Sequence, residues 1–350
     1  MTKIAILGAG MMGTAFATPL ADRGHDVHLI GTPLDEEIVR GLRATGVHPK
    51  MGTPLPAGVT PHAVAELPAA AADADVLVLG VSSAGIPWAC EALRPLARVD
   101  RPIAMITKGL VVDDDRVVPL PDVVQRALPD VARDQVFPVA VAGPCIAGEL
   151  ARRVPSVVVL TGRHQPTLDR LRALFETDYY VPLTSLDVEG VEVCAALKNA
   201  FAMGVALPAG MHEARGGAPG SVAMHNLESA VFAQAVIEMS RVVVAVGGRA
   251  ETALGLPGAG DLDVTCNGGR TGRFGRFLGL GIGLAEAVRR MEGATLECLE
   301  ILAVLRRAVP ALEASGRLAP GSLPLLSHLM EVALDGAPVA LPITRFGATA

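Results

Sequence analysis

The sequence predicts a doubly wound, mostly parallel α/β sheet in its first half and an all-α second half. Three observations predict this. A strand, a glycine turn and a helix open the chain. Apolar runs then alternate with helical segments to about residue 185. From there on the apolar residues keep helical spacing.

The opening stretch organises the rest. Ile4, Ile6 and Leu7 form a short apolar run, long enough for a buried strand. Gly8-x-Gly10-x-x-Gly13 follows, and small residues suited to a helix start come next. That order is the context a dinucleotide-binding glycine turn requires. Gly8 makes the tight turn, Gly10 lets a pyrophosphate approach the backbone, and Gly13 lets the helix pack on the strand. The N–H groups and dipole at the helix start would hold the phosphates.

The next strands are expected at Asp26–Gly31, Asp75–Val81, Arg101–Thr107, Val136–Val141 and Ser156–Leu160. Beyond the second of these stand Gly31, Thr32 and Pro33, then Asp35 and Glu36. An acid there suits NAD and an arginine suits NADP. With nothing cationic at the turn, the reading leans to NAD. Residues 45–60, rich in Pro and Gly, read as an excursion. The dinucleotide-binding domain is expected over 1–185 and an α-helical substrate domain over 186–350, with the tail after Gly336 loosely held.

Bulk properties narrow the class. The chain has 350 residues and a net charge of −6, with no basic run to meet nucleic acid. No apolar stretch reads as long and uninterrupted enough to span a bilayer. A strand starting at Lys3 leaves no room for a signal peptide. Five cysteines without C-x-x-C spacing fit a reduced, cytoplasmic protein, and no metal site is expected. Lysine is scarce: Lys3, Lys50, Lys108 and Lys198 are the four, against 26 arginines. A lysine inside an apolar segment therefore stands out, because a desolvated lysine can give up its proton where arginine cannot.

Two segments could carry chemistry. Lys198 and Asn199 interrupt a long run of small and apolar residues from Val188 to Val205. A buried lysine needs a partner or a task, and a snorkelling or ion-paired lysine is the bland alternative. Leu254–Gly275 is glycine-dense within a helical half and carries Asp261 and Arg270. Arginine among glycine amides and hydroxyls is phosphate-binding chemistry, against the bland reading of a flexible loop. Lys108 at a strand end could meet a substrate phosphate or carbonyl, or be a plain surface lysine. His212 and His225 read as ordinary polar residues, and no local motif gives Cys145 a base.

Taken in order, Gly8–Ala15, Thr107-Lys108-Gly109, Ala142-Gly143-Pro144, Ala196-Leu197-Lys198-Asn199, Gly260-Asp261-Leu262, Thr265-Cys266 and Gly269-Arg270 resemble the NAD(P)-dependent sn-glycerol-3-phosphate dehydrogenases. The likeness covers nearly the whole chain. It implies an N-terminal Rossmann domain, an α-helical C-terminal domain and a homodimer. It also implies reduction of dihydroxyacetone phosphate by NADH or NADPH, feeding phospholipid synthesis, with no membrane insertion.

Carried over by position, Lys198 looks like the family's catalytic lysine, which would protonate the carbonyl oxygen as hydride arrives. Asp261 would orient that lysine or the substrate hydroxyls, and Lys108 would help polarise the oxygen and touch cofactor and substrate. Gly143, Cys145, Asn199, Thr265, Gly269, Arg270 and Thr271 would surround the substrate. Gly8, Gly10, Met11, Met12, Gly13, Ser82, Ala147, Arg270 and Glu292 would contact the cofactor.

The chain departs from the family at Thr271, usually asparagine, and at Cys145-Ile146-Ala147, commonly Ser-Phe-Ala. Glu228 and Gln234 stand where lysine and arginine are usual. Val47-His-Pro-Lys-Met51 replaces Asn-Pro-Arg-Tyr. These changes leave a same-fold dehydrogenase for another polyol or sugar phosphate as the alternative. A catalytically idle nucleotide sensor would have had no reason to keep Lys108, Lys198, Asp261 and Arg270. A carboxylate-specific dehydrogenase would not depend on Arg270.

Overall fold

A computed structural model describes residues 1–113, 116–219 and 224–347. The chain divides into two compact units. The first comprises Met1–Lys108 and Pro119–Val188, and the second Gly109–Val118 and Glu189–Ala350.

The first unit is built on strands β1 (Lys3–Leu7), β2 (Asp26–Ile30), β3 (Val59–His62), β4 (Val76–Leu79) and β5 (Ile103–Met105). A separate pair, β6 (Leu110–Asp113) and β7 (Arg116–Pro119), comes next, followed by β8 (Val139–Ala142), β9 (Ser156–Thr161) and β10 (Tyr180–Ser185). The main sheet runs β10-β9-β8-β5-β4-β1-β2-β3. Neighbours are parallel, as in Ile4↔Val27 and Ile4↔Val76, except that β9 runs antiparallel to β8. The central strands are buried on both faces, so they read as continuous apolar runs such as Val76–Leu79. The chain order reverses beside β1, which places a switch point at the carboxyl ends of β1 and β4.

Helix Met11–Asp22 covers one face. Its Phe16 meets Phe175 edge-on at 5.2 Å and Tyr180 at 5.8 Å, tying the first helix to the last helix and strand of this unit. Besides the β6–β7 pair, two strands of the main sheet escaped the sequence reading, β3 and β10. Each is an edge strand with a proline, Pro61 or Pro182, tolerated where no second neighbour needs the missing N–H.

Among the described residues the second unit is helical but for Gly109–Val118, a segment within the expected 1–185 domain. Leu110 and Val117 of this segment join its core. The principal helices are Val188–Ala214, His225–Val246, Gly269–Gly279, Glu297–Ala314 and Pro324–Asp335. The first two are, by length and composition, long and apolar enough to cross a membrane, contrary to the expectation from sequence. Both furnish core residues here, Phe201 and Leu207 from one, Met239 and Val242 from the other.

The tail also differs from expectation. It is held: the Ala340 amide donates to His328 Nε2 (3.1 Å), the Gly347 amide to Gln234 Oε1 (2.8 Å), and Arg345 to the Gly321 carbonyl (3.1 Å). Gln234 is therefore a buried tail clamp. It also donates to Glu238 at 2.8 Å, and Glu238 in turn caps helix Pro324–Asp335 by accepting from the Leu325 and Leu326 amides, each at 2.7 Å. Burial pushes the Glu238 carboxyl pKa above the usual range.

Candidate functional site

The glycine turn divides its labour among three residues. Gly8 has φ +121°, and a Cβ there would lie 2.5 Å from the Gly80 carbonyl oxygen. A Cβ on Gly13 would lie 2.0 Å from the Gly8 carbonyl oxygen, so helix Met11–Asp22 packs backbone to backbone on the turn. Gly10 faces open space, with nothing within 4 Å of a Cβ. No side chain caps the amino end of this helix, and its first turn holds no acid. Those N–H groups and the clearance at Gly10 fit a pyrophosphate. Met11 is exposed and Met12 partly buried beside them.

Two residues outside the motif brace the turn. The Ala9 amide donates to Asp35 Oδ2 (3.1 Å), which also accepts from the Thr32 amide (2.9 Å) and hydroxyl (2.8 Å). The acid beyond β2 is thus spent on the turn itself. His48, fully buried, lies with Nε2 3.2 Å from the Ala9 carbonyl, while its Nδ1 accepts from the Lys50 and Met51 amides at 3.2 Å. Nε2 therefore carries the proton. Desolvation lowers the His48 pKa, partly offset by the hydrogen bond to Ala9. This ring pins the 45–60 excursion to the turn and brings the exposed cation Lys50 with it, which the order of residues had hidden.

The neighbouring strand ends lie side by side. Ser82, exposed, follows β4. Thr107 Oγ1 donates to the Val81 carbonyl at 2.8 Å. Lys108 leaves β5 and donates through Nζ to the carbonyl of Gly143 (3.4 Å), which follows β8 with φ +109°. Half-buried Cys145 and Ala147 come next, Ala147 opening a one-turn helix.

The second unit gathers the other candidates. Lys198 Nζ lies 2.6 Å from Asp261 Oδ1. The lysine side chain is 14% exposed and the aspartate 1%, so this is a nearly dry ion pair. Asp261 opens helix Asp261–Cys266 straight after a π-helical turn, Leu256–Gly260, a geometry often found at functional sites. Thr265 donates its hydroxyl to the Asp261 carbonyl at 2.6 Å. The Arg270 helix crosses the Lys198 helix at backbone contact: a Cβ on Gly275 would sit 2.2 Å from Met203 O, and one on Gly279 2.2 Å from Leu207 O. That crossing sets Asn199 near Arg270, and both reach the same carboxylate, Glu297. Asn199 Nδ2 donates to Oε2 (2.9 Å) and Arg270 Nη2 to Oε1 (2.8 Å). Thr271 is buried on the same helix, whose start at Gly268 and Gly269 has φ of +141° and +88°.

Among the described residues Glu292 is one of three non-glycine residues with positive φ, at +53°. Backbone strain of this kind is worth about 1–3 kcal/mol and marks clamps and sites. Glu228 is paired with His225 at 2.7 Å. Glu297 and His48 were not anticipated. The first offered only the signal of an acid opening a helix, and the second read as part of a loop. Among the described residues no cluster of histidine, cysteine and carboxylate groups could hold a metal ion.

A glycine turn at a sheet switch point, with a buried lysine–carboxylate pair in a helical unit, fits the class of nicotinamide-dependent dehydrogenases. The comparisons narrow it. The family profiles for the N- and C-terminal parts of NAD-dependent glycerol-3-phosphate dehydrogenase match residues 3–167 and 187–342. An NADP(+)-dependent glycerol-3-phosphate dehydrogenase of Archaeoglobus fulgidus is 36% identical over 289 residues, 83% of each chain. A glycerol-3-phosphate dehydrogenase [NAD(P)+] of Geobacter metallireducens is 33% identical over 293 residues, 83% of this chain and 82% of the other. The crystal structure of glycerol-3-phosphate dehydrogenase from Coxiella burnetii superposes with a TM-score of 0.79 at 26% identity, covering 96% of both chains. The chain belongs to the NAD-dependent glycerol-3-phosphate dehydrogenase family, and is an NAD(P)-dependent oxidoreductase acting on a CH–OH group.

Proposed function

We propose that this enzyme interconverts dihydroxyacetone phosphate and sn-glycerol 3-phosphate, with Lys198 moving the proton at the substrate oxygen. The observation that carries the reading is the Lys198–Asp261 pair, 2.6 Å apart and largely shielded from water. Asp261 fixes the ammonium in place, and Thr265 braces Asp261 through its carbonyl. In the reductive direction Lys198 gives its proton to the oxygen. In reverse, the neutral amine takes it back.

Asn199, Thr265, Gly269, Arg270 and Thr271 grip the phosphate, with Gly143, Cys145 and Lys108 as further contacts. Gly8, Gly10, Met11, Met12, Gly13, Ser82, Ala147, Arg270, Glu292 and Lys108 hold the dinucleotide. The uncapped helix start and the clearance at Gly10 support that assignment. When bound, NADH or NADPH supplies the hydride. Asp35 is committed to Ala9 and Thr32, and Lys50 rides on the braced excursion, so the reason for leaning to NAD weakens. The homodimer and a cytoplasmic setting belong to this proposal. Sedimentation of the purified protein checks the dimer.

The test follows NADH or NADPH absorbance with dihydroxyacetone phosphate. Wild-type protein turns over and settles the coenzyme. Lys198→Ala loses about 10²–10⁴-fold in kcat while still binding coenzyme. Full activity in that variant would remove Lys198 from the chemistry.

A further inference from the structure

We propose that Glu297 is a built-in competitor for the substrate's phosphate. It occupies the phosphate donors until a dianion displaces it. The inference rests on the reading above that Asn199 and Arg270 grip phosphate.

Both oxygens of the Glu297 carboxylate are engaged, one by Arg270 Nη2 at 2.8 Å and the other by Asn199 Nδ2 at 2.9 Å. The two donors come from different helices, Gly269–Gly279 and Val188–Ala214, and the acid from a third, Glu297–Ala314. A carboxylate bridging an arginine and an amide meets the same demand as two oxygens of a phosphate, because arginine recognises both anions through the same planar fork. The acid is thus a stand-in carried by the chain.

Exposure decides whether this is a lock or a gate. The Arg270 and Glu297 side chains are 48% and 40% exposed. An ion pair so accessible to water is weak, and a phosphate dianion with three acceptor oxygens outbids a single carboxylate. A neutral hydroxyl does not. Glu297 therefore yields to phosphate esters, whereas a ketone without a phosphate neither displaces it nor gains from its removal. Glu297 opens its helix, and the loop before it contains two consecutive left-handed residues, Glu292 (φ +53°) and Gly293 (φ +77°). The acid is delivered by a segment of defined shape.

The experiment compares wild type with Glu297→Gln, Glu297→Ala and Arg270→Ala, all as full-length chains. KM and kcat are measured for dihydroxyacetone phosphate, kcat/KM for unphosphorylated dihydroxyacetone, and Ki for inorganic phosphate as competitor. Both Glu297 variants are expected to lower KM for the phosphate ester by about three- to ten-fold, since an exposed ion pair and a like-charge repulsion are both removed. The Ki for inorganic phosphate falls in step, and kcat/KM for dihydroxyacetone stays within about two-fold. Arg270→Ala raises KM for the ester. A KM that stays or rises in the Glu297 variants, with Arg270→Ala behaving as stated, overturns the competitor role and makes Glu297 a positioning residue. An equal gain for dihydroxyacetone also overturns it. An Arg270→Ala variant with unchanged KM and Ki removes the underlying phosphate reading instead.

Discussion

At the scale of single residues, the histidine beneath the glycine turn is expected to make coenzyme binding sensitive to acid. His48 Nδ1 accepts two backbone amides, and protonation there would turn an acceptor into a donor facing N–H groups. Burial lowers its pKa below the ordinary 6.5. The folded value is thus below the unfolded one. The stability His48 contributes is complete above about pH 6.5 and is lost as pH falls through the lowered value. NADH affinity, followed by fluorescence titration, is expected to be flat near neutrality and then to weaken by up to about ten-fold per pH unit in acid. His48→Asn keeps an acceptor for the Lys50 and Met51 amides but nothing that titrates. It should bind more weakly at pH 7 and lose the acid limb. Persistence of that limb in the variant would assign it elsewhere.

At the scale of elements, the crossing of helices Val188–Ala214 and Gly269–Gly279 does the positioning. A methyl at Gly279 would meet Leu207 O at 2.2 Å, so the helices must part. Overpacking of this kind costs about 1–3 kcal/mol, and here it also shifts Arg270 relative to Asn199. Gly279→Ala should lower the melting temperature and raise KM for the phosphorylated substrate. Gly272 lies in the same helix with nothing within 4 Å of a Cβ. Gly272→Ala should stabilise by up to about 1 kcal/mol through helix propensity and leave KM alone. If the two variants behave alike, the backbone contact is not what sets the site.

At the scale of the whole molecule, the sequence was legible wherever one physical demand dominated. Buried parallel strands need continuous apolar runs, so β1, β2, β4, β5, β8 and β9 could be read directly. Gly8, Gly10 and Gly13 announced themselves by spacing, and Lys198 by its apolar surroundings. The edge strands β3 and β10 were hidden because an edge tolerates proline and polarity. His48 and Glu297 were hidden for another reason: each acts through partners 27 to 98 residues away, and nothing local marks such a pairing. Gln234 was noticed as a departure from the family, but its partner, the Gly347 amide, is 113 residues distant. The same distance concealed that the tail is fastened.

The excursion Gly109–Val118 leaves the α/β unit to complete the helical one before the chain returns. On the ribosome this segment emerges about 80 residues ahead of the core it belongs to, which begins at Glu189. At about 5–20 residues per second, the growing chain carries an orphaned apolar flap with Leu110 and Val117 uncovered for several seconds. Dissection of the gene meets the same obstacle. A fragment ending at Val188 should be sticky and recovered mainly as aggregate. Joining Lys108 to Pro119 through a short Gly-Ser bridge should return it to the soluble fraction in a sedimentation assay. Equal solubility of the two fragments would mean that the flap is harmless on its own. One unit thus borrows a segment that the chain supplies early in synthesis, although the chain divides into two compact units.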